Sequence, residues 1–175
     1  MKARIIVTKK CNRHCIGCCN EQYAFNEIDV LEDKNALLPY KEIMITGGEP
    51  MLVPFRVIRF LEVLRDYQKY TGKIYIYTAL YHEGLTEVYS RLSKYVNGIN
   101  FTLHDNSTDQ DIRNLKLLSD IIHKFTSVSL RIDSRLYERY DFSNIDFTPW
   151  EVIRKMKWQE SCSLPENERL FIYEL

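Results

Sequence analysis

No excess of either charge marks this chain: lysine and arginine number 24, aspartate and glutamate number 24, and the formal net charge is zero. A nucleic-acid binder usually declares itself by a basic excess or stripe, so that class has no support here. Also missing is any apolar run long enough to span a membrane. The most apolar stretch, Val53 to Leu64, is broken by Arg56, Arg59 and Glu62, the pattern of an amphipathic helix. The N-terminal Met1-Lys2-Ala3-Arg4-Ile5-Ile6-Val7 is too short an apolar run for a secretory signal, so the expected compartment is the cytoplasm. No low-complexity tract, internal repeat or linker divides the sequence, and 175 residues suit a single domain, 1–175. A disulfide framework is not expected either. Of the five cysteines, four fall between Cys11 and Cys19 and only Cys162 is distant. An odd, clustered set of this kind points to metal binding.

What is present is an alternation of short β-rich runs with helical patterns. Arg4 to Thr8, Glu42 to Thr46, Lys73 to Thr78, Gly98 to Leu103 and Ser127 to Ile132 read as strands. Between them, Pro54 suits the first turn of a helix whose apolar face is Val57, Ile58, Leu61 and Leu64, ending near Thr71-Gly72. Leu85, Val88, Leu92 and Tyr95 make a second face. Ile112, Leu115, Leu118 and Ile122 make a third, with Thr108 as N-cap and Asp111 three residues on. Such alternation implies an α/β fold with a mostly parallel sheet and right-handed crossovers. A full eight-fold barrel usually needs more than about 200 residues, so the expectation is an open, partial barrel of about five or six strands. The core is expected over 1–133. Within the extension 134–175, Glu151 to Trp158 and Arg169 to Tyr173 are read as a hairpin, or as a helix and a strand.

The first strand leads straight into Cys11-Asn12-Arg13-His14-Cys15-Ile16-Gly17-Cys18-Cys19-Asn20. C-x3-C-x2-C spacing lets one tight loop bring three thiolates to one iron–sulfur cluster. Such clusters ordinarily take four cysteines, so three leave an iron open to a substrate. The plainer alternative is a structural zinc knuckle, with His14 or Cys19 as fourth ligand. After the second strand comes Thr46-Gly47-Gly48-Glu49-Pro50. Paired glycines let backbone approach another group closely, and on its own this would be read as an ordinary turn.

Together the two motifs resemble the radical S-adenosylmethionine (SAM) superfamily over Ile5 to Pro50 and, from topology alone, out to about Asp133. The resemblance implies that Cys11, Cys15 and Cys18 hold a [4Fe–4S] cluster whose fourth iron is chelated by SAM. It also implies that Gly47, Gly48 and Glu49 lie at the amino end of SAM. The implied activity is oxidoreductase-type: one electron cleaves SAM, and the resulting 5′-deoxyadenosyl radical abstracts hydrogen from a substrate. Polar residues at later strand ends are candidates for the rest of the cofactor or for substrate: Thr78, Thr102, His104, Ser129, Arg131 and Asp133. For each, the bland reading is a polar group closing a strand. Tyr75, Tyr77, Tyr81 and Trp150 are read as core or rim aromatics. Gly17 stands where the family often has an aromatic residue.

Within the superfamily, Cys15-Ile16-Gly17-Cys18-Cys19-Asn20 and the strand Lys73–Thr78 look most like the activating enzymes of glycyl-radical proteins, the anaerobic ribonucleotide reductase type above all. Ile16, Cys19 and Glu49 depart from that group's proline, tyrosine and aspartate. The resemblance implies a reduced flavodoxin or ferredoxin as electron donor and a large glycyl-radical protein as partner. The competing readings are a small-molecule or peptide-modifying enzyme similar to 7-carboxy-7-deazaguanine synthase, and a non-catalytic metal-binding module.

Overall fold

Strand and helix are both set by where the apolar residues fall. In Lys73–Thr78, Ile74, Ile76 and Thr78 are buried while Tyr75 and Tyr77 are half-buried, the period of two that a pleated strand requires. The computed structural model describes residues 1–157 and 164–173. Cys162 and Trp158 lie outside the described residues.

Eight strands are present among the described residues: β1 (Lys2–Ile6), β2 (Asp29–Val30), β3 (Glu42–Thr46), β4 (Lys73–Thr78), β5 (Gly98–Leu103), β6 (Ser127–Asp133), β7 (Val152–Met156) and β8 (Glu168–Ile172). They form one sheet in the order β2-β8-β1-β3-β4-β5-β6-β7, and every pairing is parallel. The edges β2 and β7 do not pair, so the sheet is an open α/β partial barrel. The α-helices are α1 (Cys19–Gln22), α2 (Pro54–Glu62), α3 (Thr86–Leu92) and α4 (Asp109–Ser119).

The helices bury Val57, Phe60, Leu61, Tyr89, Leu92, Leu115 and Leu118 in one core with Ile43, Ile45, Ile74, Ile76, Ile99, Phe101, Val128 and Leu130 of the strands. Each such side chain removed from water contributes about 1.5–3 kcal/mol. α2 opens on Pro54, whose fixed φ suits the first turn, and widens at Val63–Tyr67 before Lys69 ends it at φ +57°. α4 begins with the expected capping box: the Thr108 N–H donates to Asp111 Oδ2 at 2.7 Å, and the Asp111 N–H donates to Thr108 Oγ1.

Two expectations need correcting. The sheet has eight strands rather than five or six. The segments expected as a hairpin, or as helix and strand, are two strands at opposite parts of the sheet: β7 extends it beyond β6, while β8 sits between β1 and β2. No helix among the described residues is long and apolar enough to cross a membrane. Because all strands run in parallel, their C-terminal ends share one rim, where the βα loops converge. Both sequence motifs emerge there.

Candidate functional site

The cysteine loop leaves the end of β1, where the Val7 N–H still donates to the Thr46 carbonyl of β3. It turns between Cys15 and Cys18, with the Cys18 N–H donating to the Cys15 carbonyl at 3.2 Å. Gly17 takes φ +70° in that turn. An aromatic side chain would be disfavoured in that left-handed region, which explains why glycine stands at this position. Cys15 is buried and Cys11 and Cys18 are half-buried, all three as free thiols. Cys19 is engaged in a disulfide and His14 is exposed. Among the described residues, no three His, Cys, Asp or Glu side chains converge tightly enough to hold one metal ion. Thiolates that bind a cubane each meet a different iron and stand farther apart. The donor set, three free thiols on one short loop, fits three of a cluster's four thiolate positions.

Burial pushes the Cys11 thiol up and takes Cys15 up to about 12, the nearby Cys18 sulfur and the Asp105 carboxylate adding to the effect on Cys15. Thiols held this way stay protonated at neutral pH, and iron must displace those protons when it binds.

The glycine turn is clipped to this loop by backbone alone. The Gly48 N–H donates to the Thr8 carbonyl at 2.7 Å, and the Glu49 N–H donates to the Lys10 carbonyl at 2.8 Å. Gly47 takes φ +121°, and a Cβ there would meet the Thr8 carbonyl oxygen at 2.5 Å. A Cβ on Gly48 would land on the Lys10 carbonyl. What approaches these glycines closely is therefore the chain's own cysteine loop.

Glu49 is only 2% exposed. Its Oε1 accepts from the Met51 N–H at 2.9 Å and the Thr78 hydroxyl at 2.6 Å, and its Oε2 accepts from the Ala79 N–H at 2.8 Å. Two sequence candidates, Glu49 and Thr78, are thus brought together at the ends of adjacent strands. Burial pushes the Glu49 carboxyl up, and the bonds from Thr78, Ala79 and Met51 offset this only in part. A positive group beside it would favour the ionised form.

A second clamp has no local signature in the sequence. Arg13, inside the cysteine motif, has a side chain 8% exposed. It donates to the Ala79 carbonyl at 3.0 Å and to Asp111 Oδ1 at 2.6 Å, and reaches Asn106 Oδ1 at 3.5 Å. Asn106 Oδ1 also stands 3.9 Å from Cys15 Sγ. The cysteine loop is thereby tied to the end of β4 and the start of α4. Burial alone would raise the Asp111 carboxyl, but the bonds from Arg13 and Thr108 hold it below the usual range. The only sequence signal was an arginine within the metal motif and an acid in a capping box. Replacing Arg13 by methionine should cost about 2–3 kcal/mol, the range for losing a buried charged hydrogen bond and leaving its partner unpaired. Urea unfolding of the cluster-free chain measures this, and a loss below about 0.5 kcal/mol, the level of an ordinary surface substitution, would show the clamp to be idle.

His104, at the end of β5, is mostly buried, and burial together with the Arg13 charge lowers its pKa from 6.5 to about 4. The unfolded chain takes up its proton below 6.5 and the folded chain only near 4, so stability is lost as pH falls between them. The contribution at stake is about 3 kcal/mol, from 1.36 kcal/mol per unit. Glu49, with its pKa raised, acts in the opposite sense over part of this range, so the test is a difference. The stability of wild type relative to His104→Gln should decline from pH 6.5 to pH 4, and a flat difference would contradict the shift.

The remaining candidates divide. Asp133 is buried and fully engaged by Arg135 through its N–H at 3.0 Å and its guanidinium at 2.9 and 2.7 Å, a structural cap for the turn that follows β6. Tyr81 and Trp150 belong to the core. Thr102, Ser129 and Arg131 share the sheet face opposite the helices, as do Tyr75 and Tyr77, and they do not converge on Glu49. The Arg131 guanidinium lies over the Tyr77 ring, 5.0 Å from its centroid.

No family model matches the chain, and no curated protein matches it. Among solved structures, the crystal structure of BtrN in complex with AdoMet and 2-DOIA is similar at 19% identity and a TM-score of 0.44, over 65% of this chain and 54% of that one. The chain spans about half the length of that structure.

Proposed function

We propose that the chain is a radical SAM enzyme that holds one [4Fe–4S] cluster through Cys11, Cys15 and Cys18. The observation that supports this most is the backbone clip between the two motifs: the bonds from Gly48 and Glu49 to Thr8 and Lys10 fix a buried carboxylate beside a loop of three free thiols. A structural metal knuckle has no use for that carboxylate. Bound there, a [4Fe–4S] cluster would supply the single electron that cleaves SAM to methionine and a 5′-deoxyadenosyl radical. The role of the chain is to hold and orient. Of roughly four acceptor positions on a carboxylate, three on Glu49 are filled by Met51, Thr78 and Ala79, leaving one on Oε2. An ammonium group such as that of SAM would fill it and add its positive charge to that of Arg13, which already acts on the buried carboxyl. Thr78 and Ala79 keep the carboxylate aimed, and Arg13 keeps the cysteine loop against it. A reduced flavodoxin or ferredoxin would be the electron donor, and the open face of the sheet would admit the substrate, whether a glycine loop of a glycyl-radical protein or a small molecule.

The test is anaerobic reconstitution, reduction and assay of methionine and 5′-deoxyadenosine formed from SAM. Formation of both supports the reading. An intact iron–sulfur cluster that neither binds nor cleaves SAM overturns it. Glu49→Gln should keep the cluster and weaken SAM binding by about 1.5–3 kcal/mol, tenfold or more, because a charge-assisted bond is lost. Equilibrium binding of SAM to both reconstituted proteins reads this directly, and equal affinity would leave Glu49 with only its part in the turn.

A further inference from the structure

We propose that the sheet face around Arg131 binds an oxyanion, a carboxylate or phosphate group, carried by the substrate. This rests on the radical SAM reading and names the class of substrate. Tyr77 pairs in register with Asn100 and Asn100 with Ser129, and one step further along Thr102 pairs with Arg131. These side chains alternate with Ile76, Ile99, Phe101, Val128 and Leu130, which are buried with the helices, so they point to the opposite face. There they are only half-buried.

Arg131 is unusual in this setting. It reaches across β5 from β6 to lie over the Tyr77 ring of β4, 5.0 Å from the centroid. Its Nε is buried and has no hydrogen-bond partner among the described residues. The other arginine of this face with a described side chain, Arg4, is paired with Glu168. Asp133, two residues along β6, has both oxygens occupied by Arg135. Arg131 thus carries a positive charge that no described carboxylate offsets. A guanidinium held at a ring face still carries N–H groups in its own plane, and these match the planar fork of a carboxylate or the oxygens of a phosphate. Asn100, Thr102 and Ser129 offer neutral hydrogen-bonding groups on the same surface.

The full-length, cluster-free chain, labelled with nitrogen-15, tests this by the Nε–H resonance of Arg131, assigned by its loss in Arg131→Gln. Inorganic phosphate and acetate are titrated separately, with chloride as control. A saturable shift absent with chloride supports the site; phosphate alone would mark a phosphate ester, acetate alone a carboxylate, and both an oxyanion in general. Tyr77→Phe, which keeps the ring, should bind as wild type, while Arg131→Gln should bind about tenfold more weakly or worse, read by calorimetry. No shift beyond the chloride control overturns the proposal. So does a tenfold loss of SAM affinity in reconstituted Arg131→Gln, since that assigns Arg131 to the cofactor. Failure to cleave SAM would instead sink the radical SAM reading and leave the anion titration standing, so the two fail separately.

Discussion

Replacing Gly48 by alanine should destabilise the protein by about 4 kcal/mol or more, at the extreme of single substitutions. The added Cβ would meet the Lys10 carbonyl and, close behind it, the Lys9 carbonyl oxygen at 2.9 Å. Both obstacles are backbone, which cannot swing aside as a long side chain can. Relief comes only by parting the turn from the cysteine loop, which breaks the bonds from Gly48 to Thr8 and from Glu49 to Lys10 at 2.7 and 2.8 Å. The loss should therefore be twofold: a lower urea midpoint, and poor iron loading even where the chain folds. Gly84→Ala is the control. Gly84 is exposed, and a Cβ there meets only the His82 ring at 3.1 Å, so a change within about 1 kcal/mol is expected. If Gly48→Ala unfolds at the same urea concentration as Gly84→Ala, the two motifs are not clipped together.

Much of the fold could be read from local pattern, and the misses have a common cause. Glu42–Thr46, Lys73–Thr78 and Gly98–Leu103 have the expected bounds because β-branched and aromatic residues recur there under a sheet period. β1 runs Lys2–Ile6 rather than Arg4 to Thr8, two residues earlier at both ends, though Val7 still bonds to Thr46. β8 was ambiguous. Its Glu-Arg-Leu-Phe-Ile run has no clean alternation, and its place beside β1 depends on contacts across most of the chain, such as Arg4 with Glu168. β2 has two exposed residues and leaves no pattern at all; Asp29 and Arg169 hold it to β8 by an ion pair at 2.6 Å.

The site was legible to the same degree and for the same reason. Spacing singled out the three cysteines and the glycine turn as candidates, since each is a local motif. Spacing also put Thr78 at a strand end, but only the sheet register brings its hydroxyl to Glu49. Arg13 was invisible because its partners, Ala79 and Asp111, lie on other βα loops. Residues that position a site from a distance are chosen by the fold, and a local motif cannot show them.

Alanine at any one of Cys11, Cys15 or Cys18 should abolish the cluster and, with it, SAM cleavage. Wild type reconstituted without oxygen should take up about four irons per chain and show the visible charge-transfer absorption of a [4Fe–4S] cluster. The three positions are not interchangeable with Cys19. Cys19 directly follows a proposed ligand, where adjacent side chains do not normally aim at one cluster, and its sulfur is engaged elsewhere. Cys19→Ser should therefore retain iron. Loading should also weaken as pH falls, because iron must displace protons from thiols that burial keeps protonated, Cys15 most of all with its pKa up to about 12. Iron and sulfide content, with the absorption spectrum, measures every arm. Full loading in one of the three alanine variants, or loss of cluster in a folded Cys19→Ser protein, would assign the ligands wrongly. A wild-type protein that holds one zinc and refuses iron would replace the radical chemistry with a structural knuckle.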